Sequence, residues 1–138
     1  MIKINIDNKD LEILKKQLQK KFDTMPLMKK IGGLLLDAVE ENFEKEGRPE
    51  KWKKSIRAQL QGGKTLQDTG RLAKSIVLVY DKKKAVVGTN LVYAAIHQFG
   101  GKAGRGLSVN MPARPYLQLT DKEISKIIKA GFNFLEIK

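Results

Sequence analysis

Between Asp10 and Phe43 the apolar residues recur every three or four positions, and this spacing limits the fold more than any other feature of the chain. Leu11, Leu14, Leu18 and Phe22 share one face of a helix opening at Asp10, with lysines on the opposite side. Thr24 is placed to cap a second helix, Pro26 is tolerated in its first turn, and Ile31, Leu35, Val39 and Phe43 form its buried stripe. Gly47 and Pro49 stop it. Gly32 and Gly33 lie inside that helix, where each costs about 1 kcal/mol relative to alanine. A close approach by another backbone is the expected reason.

The flanking residues supply the second layer. Ile2, Ile4 and Ile6 alternate as one face of a strand. Residues 47–68 are polar, include Gly62-Gly63 and carry five cations from Lys51 to Lys64 without an acid. They read as a long loop with one helical turn, pinned to the core by Trp52. Asp68 or Thr69 caps a short turn carrying Leu72 and Ala73. Residues 75–80 and 84–88 are rich in β-branched and aromatic side chains, and Asp81-Lys82-Lys83 joins them as a hairpin whose lysines guard the edge.

Asn90 is positioned to cap a helix over residues 91–99, with apolar Val92, Ile96 and Phe99 and a stop at Gly100-Gly101. Tyr93 and His97, four apart, share a different face. Residues 100–106 hold four glycines with Lys102 and Arg105 and read as a flexible cationic loop. Residues 109–117 are extended, with Pro112 and Pro115 placing the strand at an edge or bulge. Thr120-Asp121-Lys122-Glu123 is a capping box for a helix through Ile124, Ile127 and Ile128, ended near Gly131. Residues 132–137 fit either a short strand or a partner-binding segment. The whole describes one α+β domain, residues 1–138: two N-terminal amphipathic helices, a small antiparallel sheet, a short helix and a C-terminal helix.

Composition removes several functions. With 138 residues, 41% hydrophobic and 30% charged, the chain has the make-up of a soluble globular protein without a membrane span. The N-terminus lacks the apolar block of a signal peptide, so a cytoplasmic chain is expected. There is no cysteine and a single histidine, which excludes disulfides, thiolate chemistry and a His-rich metal site within one chain. No cofactor or small-molecule substrate is expected. The net charge of +12 is unevenly spread: residues 69–120 hold eight cations against one acid, Asp81. Such a field favours polyanions or an acidic protein partner, although lysine clusters also serve simply as a solvated surface.

Three catalytic readings fare poorly. Asp68-Thr69-Gly70 invites an aspartic-protease dyad, but that fold is β-rich and two long helices occupy the first half of this chain. Residues 100–106 lack the lysine followed by Ser or Thr of a phosphate loop and follow a helix rather than a strand. His97 has no identifiable nucleophile or carboxylate partner, which favours a structural histidine or one at a subunit contact over a general base. An enzyme using His97 with Asp68 would need the two within hydrogen-bond reach, directly or through water. Arg114 is either a surface cation or a packed arginine whose planar fork binds a carboxylate of the same or an adjacent subunit.

Four pieces in order carry a family resemblance: Leu66-Gln67-Asp68-Thr69-Gly70-Arg71-Leu72 with Ser75-Ile76 after it, Val87-Gly88-Thr89-Asn90, Val92-Tyr93-Ala94-Ala95-Ile96-His97-Gln98-Phe99-Gly100-Gly101, and Ser108-Val109-Asn110-Met111-Pro112-Ala113-Arg114-Pro115-Tyr116-Leu117. Together they resemble the Mu-like phage virion morphogenesis proteins, a tail-completion group. The loop after Gly62 and the Gly100 to Gly106 segment are compact departures. The resemblance implies a non-enzymatic assembly protein of a phage or prophage, acting in tail completion or head–tail joining with other tail or neck proteins. It further implies a homo-oligomeric ring in the particle, with a monomer before assembly, and a location in the virion tail or neck after assembly in the host cytoplasm. Asp68, Thr69, Gly70, Leu72, Tyr93, Ala94, His97, Gln98, Gly100, Pro112, Arg114 and Pro115 become the candidate structural or subunit-contact residues. Lys82, Lys83, Lys84, Lys102 and Arg105 become candidates for facing DNA or a partner. The rival reading is a sequence-independent nucleic-acid-binding protein, for which the charge speaks and the lack of a recognisable motif does not.

Overall fold

The structure is a computed structural model that describes residues 9–21 and 23–136. Its elements run α1 (Lys9–Lys21), α2 (Met25–Glu44), α3 (Ile56–Gln61), α4 (Arg71–Lys74), β1 (Val77–Tyr80), β2 (Ala85–Gly88), α5 (Ala94–Phe99), β3 (Gly101–Ala103), a short 3₁₀ turn (Arg105–Leu107), β4 (Val109–Met111) and α6 (Asp121–Glu136). The chain is therefore α+β, and its sheet is divided into two separate antiparallel pairs, β1–β2 and β3–β4. The alternating isoleucines at residues 2–6 and the apolar Phe22 fall outside the described residues. No helix among the described residues is long and apolar enough to cross a membrane.

Helix α2 is the central element, packed between α6 and the β1–β2 hairpin. Leu35, Val39 and Phe43 of its expected stripe are buried, and they join Trp52, Leu72, Val87, Ala94, Tyr116, Leu117 and Ile127 in one core. A smaller cluster of Leu14, Leu27 and Ala130 ties α1 to the starts and ends of α2 and α6. The reason for Gly32 differs from the expected backbone approach: an added Cβ there would stand 2.5 Å from Cδ1 of Leu78, so the glycine admits a side chain of β1. Gly33 meets nothing within 4 Å.

Other differences have equally local causes. Thr24 occupies the cap position of α2, but its hydroxyl donates to the Lys82 carbonyl at the tip of the hairpin and does not cap the helix. The cap of α4 is Gly70 in the left-handed conformation, while Thr69 Oγ1 accepts the Arg71 N–H at 3.3 Å. Helix α5 starts at Ala94 rather than residue 91, because the turn before it is organised by Thr89, whose Oγ1 accepts the Leu91 N–H. Its buried residue is Ala94; Val92 and Phe99 are 99% and 68% exposed. The expected flexible loop after Gly100 is instead the hairpin β3–β4, with Lys102 opposite Asn110. Strand β4 ends at Met111, so Pro112 and Pro115 lie beyond the ladder. Gly131 does not stop α6, which continues to Glu136. An added Cβ at Gly131 would sit 2.8 Å from Cδ2 of Leu14, so this glycine lets α1 close on α6.

A buried polar network holds the C-terminal half to α2. Asn42, fully buried, donates through Nδ2 to the carbonyls of Tyr116 at 2.7 Å and Gln118 at 2.9 Å, and its Oδ1 accepts from Arg48 Nε at 2.9 Å. Arg48 also donates to Ala38 O at 3.0 Å and is paired with Glu41 and with Glu123. Glu123 in turn accepts the Thr120 N–H at 2.9 Å and the Thr120 hydroxyl. Half of the expected capping box therefore forms: Glu123 accepts from Thr120, while the Glu123 N–H donates to the Thr120 carbonyl at 3.1 Å rather than to its hydroxyl. Burial raises the Glu123 pKa, but hydrogen bonds from Thr120 and Arg48 outweigh this and bring it down to about 2.

Candidate functional site

One glycine and one glutamine join α5 to the segment after β4. Gly100 has φ +73°, and a Cβ there would lie 2.8 Å from the Ala113 nitrogen and 2.9 Å from the Met111 oxygen. Only a residue without a side chain lets the two backbones meet. The Arg114 N–H then donates to the His97 carbonyl at 2.8 Å. Gln98 acts as a surrogate strand: its Oε1 accepts the N–H groups of Tyr116 and Leu117, and its Nε2 donates to Leu117 O. Tyr116, at 0% exposure, donates its hydroxyl to Ala94 O at 2.8 Å and stacks on Phe43 with ring centroids 5.4 Å apart. Burial pushes its phenol up to about 12. Trp52 completes the packing, edge-on to Phe43 and donating through Nε1 to Pro115 O at 3.1 Å. The indole pins the 47–68 loop to the core, as expected from its size.

This junction makes one wall of a cavity of about 280 Å³, lined by Ser55, Arg57, Leu66, Asp68, Thr69, Arg71, Leu72, Tyr93, His97, Met111 and Arg114. Six of the twelve motif candidates therefore meet: Asp68, Thr69, Leu72, Tyr93, His97 and Arg114. Ala94, Gln98, Gly100 and Pro115 stand behind them and carry or contact Tyr116 and the segment around it. Gly70 shapes the turn into α4, and Pro112 follows β4. The basic candidates do not share the site. Lys82, Lys83 and Lys84 sit exposed at the β1–β2 tip, and Lys102 and Arg105 on the second hairpin segment. Asp81 organises the first tip by accepting the N–H groups of Lys83 and Lys84, which lowers its pKa.

Arg114 is a packed arginine, only 5% exposed, and its Nε donates to Lys53 O at 2.7 Å. Burial lowers its pKa from the usual range, though a guanidinium stays charged at neutral pH. His97 meets the edge of Tyr93 with ring centroids 5.8 Å apart. Its pKa falls below the usual value, first through burial and then through the nearby Arg114 cation, and its Nδ1 is buried without a partner. No direct hydrogen bond joins it to Asp68 among the described residues; Asp68 is 70% exposed on its side chain and pairs with Arg57 at 3.7 Å. Sequence reading missed Asn42, Arg48 and Arg57. The polar Asn42 beside Val39 and Phe43 on a buried arc was the available signal.

The fold is a single α+β unit with a buried arginine at the wall of its cavity, and the chain belongs to the phage virion morphogenesis family, whose profile matches residues 6–136. Among its relatives, Mu-like prophage FluMu G protein 2 of Haemophilus influenzae is 45% identical over 94% of this chain and 92% of its own length. FluMu G protein 1 of the same organism is 31% identical over 91% and 89%. Protein G of Escherichia phage Mu, which carries a capsid assembly name, is 36% identical over 62% of each chain. No solved structure gives a significant match.

Proposed function

We propose that the whole chain, residues 1–138, is a non-enzymatic subunit that completes the tail or joins it to the head, assembling as a ring with tail or neck proteins. The observation that carries this reading is the outer face of the β1–β2 hairpin. The register pairs Val77 with Gly88 and Val79 with Val86 on one face, and Leu78 with Val87 and Tyr80 with Ala85 on the other. The second face packs on α2. The first carries no charge, yet Val77 and Val79 are 44% and 57% exposed. A half-buried antiparallel sheet ordinarily alternates apolar with polar residues. An apolar outer face on a strand with an open edge is a surface made to be covered by another subunit. The capsid assembly name of the Mu protein agrees with a role in building the particle.

Deleting the gene from its prophage and viewing the particles by negative-stain microscopy tests the reading. Separate heads and tails, or tails of abnormal length, are expected; normal joined particles overturn it. Val79→Lys should prevent ring formation in sedimentation while leaving the thermal melt of the monomer nearly unchanged.

A second reading, sequence-independent nucleic-acid binding, is favoured by the exposure of Lys82, Lys83, Lys84, Lys102 and Arg105. In a ring these cations line a channel for DNA. Free protein that holds duplex DNA at physiological salt supports the second reading, whereas binding lost there supports assembly. Charge reversal at all five positions with assembly and infectivity intact removes DNA contact from both.

A further inference from the structure

The arginine cavity has bonding capacity that the chain itself does not use. Arg114 directs Nε to Lys53 O, and neither of its terminal nitrogens meets an acceptor among the described residues. The carboxylate that lines the cavity, Asp68, is engaged with Arg57 near the rim. The remaining charged groups of the lining, Arg57 and Arg71, are cations as well. The two terminal nitrogens carry four N–H donors; among the described residues only His97 Nδ1 is both buried and unpartnered, so these donors are open to water, which a carboxylate entering the cavity would replace as their acceptor.

We propose that this cavity receives the side-chain carboxylate of an aspartate or glutamate from another virion protein, held by the two terminal nitrogens of Arg114. The inference rests on the assembly reading and names the chemistry of the partner. A planar carboxylate matches the end of the guanidinium in two parallel bonds, the one approach left open once Nε is occupied. Leu66, Leu72 and Met111 add apolar wall, so the acidic residue arrives beside an apolar neighbour. A nucleic-acid strand is matched best by an open track of cations, whereas this lining sets Asp68 and the apolar Leu66, Leu72 and Met111 among its arginines; oligothymidylate is the control for the exposed Lys53 and Lys54, which precede the lining residue Ser55. A second copy of this chain, with net charge +12, is the poorer electrostatic match than an acidic segment of a different protein.

His97 lines the cavity and is the sole histidine, so its Hε1 proton gives one unambiguous resonance. Blocked Leu-Glu-Leu and Leu-Gln-Leu tripeptides, inorganic phosphate and a short oligothymidylate are titrated into the full chain while that resonance is followed. A saturable shift with the glutamate peptide and none with the glutamine peptide is expected. Arg114→Lys keeps the charge but loses the fork, and should weaken uptake by roughly tenfold or more. Arg71→Gln, an exposed position, should weaken it less and serves if Arg114→Lys melts early. No shift, equal shifts for the two peptides, or an oligothymidylate response at lower concentration than the glutamate peptide overturns the proposal. Lack of peptide binding together with unjoined heads and tails in the gene deletion sinks the cavity inference and leaves the assembly reading standing.

Discussion

Replacing Glu123 with Gln tests how the two halves of the molecule are held together. The Glu123 pKa of about 2, against an ordinary 4.5, spans about two and a half units, which corresponds to roughly 3 kcal/mol of folding free energy. A carboxylate with a depressed folded-state pKa contributes that stability above 4.5 and loses it progressively as pH falls toward 2. Glu123→Gln removes the charge at every pH and strands Arg48, whose side chain is only 10% exposed, with Glu41 as its remaining carboxylate. The variant should therefore be less stable than the parent by roughly 3 kcal/mol at neutral pH. Trp52 is the single tryptophan and sits in the core against Phe43, so urea unfolding followed by its fluorescence reports the relevant transition. Measured at steps from about pH 7 down to about pH 2.5, the gap between the two proteins should close through the acid range. Asp81 also has a lowered pKa, but it is present in both proteins and cancels in the difference, whereas Glu41 feels the Glu123 charge and shares Arg48 with it, so it cancels only in part. A gap that stays constant with pH, or no gap at neutral pH, refutes the reasoning.

The adjacent glycines of α2 should respond oppositely to alanine. Gly33→Ala meets open space and should raise stability by up to about 1 kcal/mol in thermal melts, whereas Gly32→Ala runs into Leu78 and should lose that gain or reverse it. Tyr116→Phe leaves the Ala94 carbonyl without its donor and should cost about 1–2 kcal/mol in urea unfolding. The raised phenol pKa means stability held below pH 10 declines as pH climbs toward about 12, and the phenylalanine variant should lack that part of the alkaline loss. Gly100→Ala places a Cβ against two backbone atoms at positive φ and should destabilise by roughly 2 kcal/mol or more, with the His97 resonance displaced as the cavity wall shifts.

Strong local signals were legible in the sequence. The stripe of α2, the β1–β2 hairpin, the Thr120–Glu123 contact and the anchoring role of Trp52 each follow from periodicity or from one residue type with one obvious use. The failures cluster where a residue serves a distant part of the chain. Gly131 carries the signature of a helix stop, but it is a contact point for Leu14, which is remote in sequence. Thr24 has the chemistry of a cap and uses it on Lys82. Val92 and Phe99 fit a buried helical face, and they are exposed because α5 begins at Ala94 and turns Ala94 inward. Six of the twelve motif residues line one cavity, and the division between cavity lining and backbone support needed the fold. Arg48 gave no local signal, since its partners Glu41, Asn42 and Glu123 come from two helices.

Residues 114–118 belong to no helix or strand, but most of their main-chain groups are bonded by side chains and one neighbouring carbonyl: Asn42, Gln98, Trp52 and His97. In amide exchange the bonded N–H groups of this irregular stretch should be protected like those inside a sheet. Rigidity here is assigned by amide and indole groups one at a time. An inserted residue between Arg114 and Gln118 would put every later partner out of register, whereas the same insertion at Lys83 would only lengthen a turn.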